Sequence, residues 1–208
     1  MKTLPTQARA LVKRQSLLDA AIAQFSTIGF ELATAKSIAT SAKVATGTFY
    51  QYFENKNDIL RVLASNRLEN LHAHVKAFEM SLVDSADISA QNHSVEQKFY
   101  QTLLFVYQFH ARDPALHQVL EHRRTIDLDL KEIMSNGEKV LQNRILNFVN
   151  SFNLADAQQV SENLFAMSEG LVHHLVFHSE DLTQQQIDRS LKVGAKMLSS
   201  FFSSTQNE

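Results

Sequence analysis

Along most of this chain apolar side chains return every three to four positions, and nowhere do Val, Ile and Thr alternate with polar residues over the length of a strand, so the pattern predicts an all-α fold. Residues 8 to 28 place Leu11, Leu18, Ala21, Ile22 and Phe25 on one face, and Gly29 follows where a helix C-cap belongs. Thr34 is placed as the N-cap of a short helix that runs through Ser41 with Ile38 and Ala39 turned inward. The stretch "AKV" breaks it, a second short helix covers 45 to 53, and "ENKND" opens a long one over 57 to 80. The polar, unpatterned "DSADISAQNHS" over 84 to 94 reads as a loop. Further helices are predicted over 95–111, 114–122, 126–151, 155–178 and 183–203, about nine in total, with a frayed tail "SSTQNE". Five glycines and two prolines in 208 residues leave little material for hairpins.

Composition narrows the class. A hydrophobic share of 44% is enough for a real core. No apolar run approaches the roughly 18 residues of a membrane span, and "MKTLPTQARALVKRQ" lacks the apolar centre of a secretory signal, so a soluble cytoplasmic protein without a membrane partner is expected. The absence of cysteine excludes disulfides, thiolate metal sites and cysteine catalysis. A net charge of −2 conceals an asymmetry: residues 1 to 61 hold eight Lys and Arg against four acids, and the remainder holds 12 against 18. Only the N-terminal end could face a polyanion. There is no nucleotide-binding glycine loop, no G-x-S-x-G and no H-E-x-x-H, and the carboxylates are spread as on solvated faces, so neither an enzyme nor a cofactor is expected.

The two short helices have helix-turn-helix spacing, in which the second helix enters the DNA major groove. Gly47 lies inside that second helix, where a glycine costs about 1 kcal/mol relative to alanine. Near the first turn, a residue without Cβ lets the backbone come close to another surface. The residues go further than spacing. "TAKSIATSAKVATGTFYQYFENK" resembles the DNA-binding head of the TetR family of transcriptional repressors, whose signature T-x-x-x-I-A-x-x-A-G-V-x-x-G-T-x-Y-x-Y-F-x-x-K is matched at Thr34, Ile38, Ala39, Ala42, Val44, Gly47, Thr48, Tyr50, Tyr52, Phe53 and Lys56. In the head so implied, Phe49 and Phe53 share one helix face and pack on the first helix. Tyr50 stands at the protein–DNA margin. Ala45, Thr46, Thr48 and Gln51 face the groove, where Gln pairs with adenine and the Thr methyl suits thymine; no arginine is present for strong guanine readout. Phosphate contacts are expected from Thr34, Tyr50 and Lys56, and nonspecific affinity from Lys36, Lys43 and the arm residues Arg9, Lys13 and Arg14.

Two departures from the family pattern stand out. Lys43 occupies the place of the turn glycine, so a non-glycine residue is expected in a left-handed conformation at roughly 1 kcal/mol. Ala45 replaces the frequent serine cap and Ser37 the acid of a capping box, so the head is expected to be somewhat less stable than is typical.

The resemblance is specific over residues 8 to 62 and only architectural beyond. It implies a reading domain over 1–55 and a ligand-binding, dimerising bundle over 56–208, which dimerises through its last two long helices. The expected interface residues are Leu164, Met167, Gly170, Leu171, His174, Leu175, Leu191, Gly194, Ala195 and Leu198, with the small residues permitting close helix approach across a two-fold axis. Phe99, Leu103, Tyr107, His110, Phe148, Phe152, Phe165 and Glu169 are the candidate lining for a small apolar or aromatic effector. His174 and His178 lie one turn apart, but no carboxylate pair completes a metal set, and they are read as interface or pocket residues. The charged run "EHRRTIDLDLKE" over 121–132 is read as a solvated surface or inter-helix loop. The expected protein is a homodimeric repressor that binds a palindromic operator in double-stranded DNA and is released by an effector. The rival reading is an all-helical protein–protein interaction module that has lost DNA binding.

Overall fold

The structure, a computed structural model, describes residues 7–84, 95–179 and 181–204. Among them are nine helices and no strand: α1 (Ala8–Leu32), α2 (Ala35–Ser41), α3 (Thr46–Tyr52), α4 (Lys56–Asp84), α5 (Val95–Arg112), α6 (Pro114–Arg124), α7 (Leu128–Asn150), α8 (Ala157–Phe177) and α9 (Gln184–Ser204). The expected loop at 84–94 lies outside the described residues except for Asp84, which ends α4; of the expected frayed tail, Ser203 and Ser204 close α9 and the rest lies outside. No helix among the described residues is long and apolar enough to cross a membrane.

Gly29 breaks the first helix where a C-cap was expected: it sits at φ 81°, ψ 158°, and only a short helical turn through Leu32 follows it within α1. An extended backbone at positive φ is accessible to glycine almost alone, which explains the residue. Leu11, expected on the inner face, is 45% exposed, while Leu18, Ala21 and Phe25 are buried.

The chain forms two compact units. The first comprises Met1–Asn70 and Ala115–Gly137, so it joins α1 to α3 and the start of α4 with α6 and the start of α7. The expected boundary at 55/56 falls inside it. Its core is built from Leu17, Leu18, Phe25, Ile38, Phe49, Phe53, Ile59 and Leu60 together with Leu116, Leu120, Leu130 and Met134 from the later segment.

The run 121–132 spans the end of α6, the loop before α7 and the start of α7 and is largely exposed, as expected, but it buries one acid. Asp127 is 8% exposed, and Arg61 grips its carboxylate through Nε at 3.1 Å to both oxygens and through Nη2 at 2.9 Å, while Arg61 Nη1 reaches Asp129 at 2.8 Å. The same carboxylate accepts the Leu130 N–H at 3.0 Å, which caps α7. Gly137 also has a packing reason, because a methyl group there would lie 2.6 Å from Leu68 Cδ2.

The second unit comprises Leu71–Pro114 and Glu138–Glu208, in which α5 packs on α8 and α9. Its core is Leu103, Val149, Leu164, Val172, Leu175, Ile187, Leu191, Ala195, Leu198 and Phe202. Tyr100 on α5 donates to Asp188 on α9, whose carboxyl is held below its ordinary value first by the hydrogen bond from Lys192 and then by that from Tyr100. At Gly194 α9 lies against α8: a methyl group there would fall 2.4 Å from Leu171 Cδ2, whereas one on Gly170 would meet nothing within 4 Å. Gly194→Ala is therefore expected to lower stability by about 1 kcal/mol as Leu171 is displaced, and Gly170→Ala to leave it unchanged or raise it. Thermal unfolding of the two variants side by side checks this, and equal melting temperatures would contradict it.

Candidate nucleic-acid interface

The entry to the helix-turn-helix is fixed by α2. Thr34 is its N-cap: the side chain accepts from Ser37 N at 3.0 Å, and Ser37 Oγ accepts from Thr34 N at 3.0 Å. The capping box expected to be missing an acid is thus completed by a serine hydroxyl, whose short reach suffices because both partners lie within one turn. After α2 the chain reverses through Ala42, Lys43 and Val44. Val44 N bonds to Ala39 O and Lys43 N to Thr40 O, both at 3.0 Å, and Lys43 takes φ 56°. This is a Schellman arrangement with lysine at the left-handed position, as the missing glycine led us to expect. Ala45 then starts α3 without a side-chain cap.

Helix α3 divides as its spacing requires. Phe49 and Phe53 are buried, their rings 5.6 Å apart, and Phe53 also carries Arg14 at 5.5 Å, so that arm residue contributes to packing. On the other side Ala45, Gly47, Tyr50 and Gln51 are exposed, and Thr46 and Thr48 are half-buried. Tyr50 is 50% exposed with its ring edge-on to Phe49 at 5.4 Å. Gly47 has no positive φ and a methyl group there would meet no atom within 4 Å, so nothing inside the protein calls for a glycine.

Beside this face, Thr34 and Lys36 join Gln24, Ser37, Thr40 and Ser41 in lining a shallow polar hollow. Gln24, Thr40 and Ser41 were missed by the sequence reading; for Thr40 and Ser41 the signal is that they are exposed polar positions of α2. Lys36 and Lys43 are exposed, as are Arg9 and Lys13. Lys56 is placed differently from the expectation. Its ammonium donates to the carbonyls of Phe30 at 2.9 Å and Glu31 at 3.0 Å.

The candidate effector and dimer residues lie in the second unit. Phe99, Phe148 and Phe152 pack on one another and on Phe202, with ring centroids 4.6–5.8 Å apart. Leu103 is buried, Tyr107 and Phe165 are half-buried, and Phe202 went unnoticed in the sequence although it continues the period of Leu191, Ala195 and Leu198. His110 is buried, with Nδ1 2.8 Å from Val106 O, and Glu169 pairs with His173 Nε2 at 3.3 Å.

Five of the expected interface residues must be reassigned. Leu164, Leu175, Leu191, Ala195 and Leu198 are at most 6% exposed within their own unit, so their side chains serve its core and are not presented to a second protomer. Gly194 likewise accommodates Leu171 of the same chain. What α8 and α9 present outward is an apolar strip of Met167, Val193, Met197 and Phe201, each 45–63% exposed, with Gly170 and His174 also exposed and Leu171 half-buried. His174 and His178 stack 6.2 Å apart at exposed positions.

A family model described as bacterial regulatory proteins, tetR family, matches residues 17–63. The HTH-type transcriptional regulator HbdR of Aromatoleum sp. (strain CIB) is 26% identical over 126 residues, which cover 61% of this chain and 51% of that protein. The "Probable acrEF/envCD operon repressor" of Escherichia coli K12 is 30% identical over 124 residues, 57% of this chain and 51% of that protein. The chain thus spans about half the length of these curated relatives, both named for transcriptional roles and not for enzymatic ones. A TetR-family regulator of Mesorhizobium loti MAFF303099 has the same fold, with a TM-score of 0.72 at 12% identity over 94% of this chain and 98% of that one. So does the regulator FadR of Bacillus subtilis, solved in complex with stearoyl-CoA, with a TM-score of 0.66 at 19% identity over 91% and 97%.

Proposed function

We propose that the chain, whose residues 17–63 match the tetR family model, is a cytoplasmic transcriptional repressor of that family, which binds a palindromic operator as a homodimer and leaves it when a small effector binds. The observation that carries this reading is the outer face of α3, where Gly47 has no internal reason to be glycine and stands between exposed Ala45, Tyr50 and Gln51. A backbone cleared at that place, with Thr46, Thr48 and Gln51 around it, suits the edges of A·T pairs in the major groove. Thr34, Lys36, Lys43 and Tyr50 are then the contacts to phosphate that set register.

Reading is assigned to residues 1–55, and effector binding and dimerisation to 56–208. The outward strip of Met167, Val193, Met197 and Phe201 is the surface offered to the second protomer, an apolar face of the kind that homodimers cover. The aromatic interior around Phe99, Phe148 and Phe152 favours an apolar or aromatic effector, with His110 and Glu169 as its polar neighbours. The binding of stearoyl-CoA by the structurally similar FadR favours an apolar portion. Two heads about one helical turn of DNA apart would meet both half-sites, and an effector that prefers another spacing would release them.

Selection of binding sites from random duplex DNA at near-physiological salt tests the reading. A recovered palindrome supports it, and a pool no better than random overturns it. Within that palindrome, Gln51→Ala is expected to weaken binding by about 1–3 kcal/mol and to relax preference at a single base pair of each half-site. Titration of duplexes varied at each position checks this, and an unaltered preference profile would remove Gln51 from the reading set.

A further inference from the structure

We infer that Lys56 and Arg123 are positioning residues of the DNA-reading head, which together hold Phe30 and Glu31 and so pin the entry of the helix-turn-helix to its exit. The inference rests on the proposed DNA-binding role of that head, and it removes Lys56 from the set of phosphate contacts.

Phe30 and Glu31 follow the break at Gly29 and lead, through buried Ala33, into the Thr34 cap of α2. Lys56 is the first residue of α4 and is separated from the end of α3 by residues 53–55. Its ammonium donates to both carbonyls, at 2.9 and 3.0 Å, lies 4.6 Å from the Phe30 ring centroid, and stands 3.9 Å from the Glu31 carboxylate. From α6, the Arg123 guanidinium stacks on the same ring at 4.7 Å and bonds to Glu31 through Nη1 at 3.0 Å. The ring between these two cations is 5% exposed.

The exit is rigid in its own right. Asn55 Oδ1 accepts from the backbone of Asn57 at 2.9 Å and of Asp58 at 3.0 Å, and Asp58 Oδ2 accepts from Glu54 N at 3.0 Å. Lys56 therefore projects from a fixed turn onto the last residues before α2, across 25 residues of sequence. Two of its three N–H groups are spent on carbonyl oxygens, and its charge already has a carboxylate and a ring as neighbours. An ammonium engaged in this way does not neutralise a phosphate and so releases no condensed cation from the DNA.

Counterion release separates the two roles for Lys56. Each phosphate contact on duplex DNA contributes about 0.9 to the slope of log affinity against log salt. With the selected duplex, Lys56→Met is expected to weaken binding about tenfold, the scale of one or two lost charge-assisted hydrogen bonds, and to leave that slope unchanged. A slope lowered by about 0.9 would overturn the inference and restore Lys56 as a phosphate contact. In the free protein, amide exchange at residues 33–37 is expected to accelerate in Lys56→Met and also in Arg123→Met. Exchange at the parental rate in both would overturn the grip. Arg123→Met is the milder change and decides alone if Lys56→Met does not fold. Should the parent protein select no duplex at all, the regulator reading falls, and the exchange measurement still decides on the grip.

Discussion

Gly47→Leu is expected to reduce operator affinity at least about a hundredfold while leaving the melting temperature unchanged or slightly raised. The two halves of this result have separate causes. A side chain at 47 projects into space free of any atom within 4 Å, at ordinary helical φ, so the folded protein gains a better helix former and loses nothing. On DNA the same side chain must occupy the gap between helix backbone and base edges, and either the helix backs away or several base contacts are forfeited together, at about 1–3 kcal/mol each. Fluorescence anisotropy with the selected duplex and a circular dichroism melt give both numbers. Retained affinity would mean that α3 does not lie in the groove; a lowered melt would mean that position 47 has an internal role that the structure does not contain.

Arg61→Met is expected to destabilise the first unit by about 3 kcal/mol. The loss comes less from the missing bond than from the carboxylate left behind, because Asp127 is 8% exposed and retains only its Leu130 amide. In the parent, burial alone would raise the Asp127 carboxyl, but the hydrogen bonds from Arg61 and Leu130 N–H outweigh it and hold the group below its ordinary value. A carboxyl that binds its proton less readily when folded stabilises the fold at pH values above its unfolded value, near 4, and that contribution fades as pH falls through the folded value. The parent should therefore lose stability below about pH 4. In Arg61→Met the burial is no longer opposed by the guanidinium, and the deficit relative to the parent should shrink as acid neutralises Asp127. Adding Asp127→Asn, which keeps an acceptor for the cap and removes the charge, should recover part of the loss at pH 7. Chemical denaturation of the three variants across pH checks these signs; a deficit that grows in acid would refute the account.

What could be read from the sequence was whatever depends on neighbours within a few residues. Phe49 and Phe53 are four apart and share a face by helical geometry alone, and Lys43 was bound to take positive φ once the turn after α2 was recognised. The same local view failed where partners are remote. Asp127 looks like one charge among many in "EHRRTIDLDLKE", and only a fold that brings it to Arg61, 66 positions away, makes it a buried acid. The hydrogen bonds of Lys56 to the Phe30 and Glu31 carbonyls, 26 and 25 positions away, leave no trace in its own sequence neighbourhood. On α9 the ambiguity is of another kind. Leu191, Ala195 and Leu198 face inward while Val193, Met197 and Phe201 face outward, so two apolar stripes run along one helix and periodicity cannot say which meets the rest of the chain.

The first unit is discontinuous along the chain, since Leu116, Leu120, Leu130 and Met134 complete a core begun by Leu17 and Phe25. During synthesis the reading helices are therefore made well before the residues that finish their core, and the intervening segment, the second half of α4 and all of α5, belongs to the other unit. A nascent chain ending near residue 70 carries α2 and α3 without the support of α6 and α7. Chains emerging in order from the ribosome fold by whole units. The reading head is thus completed only once translation has passed Gly137, and a truncated product would not compete with the full-length protein for DNA.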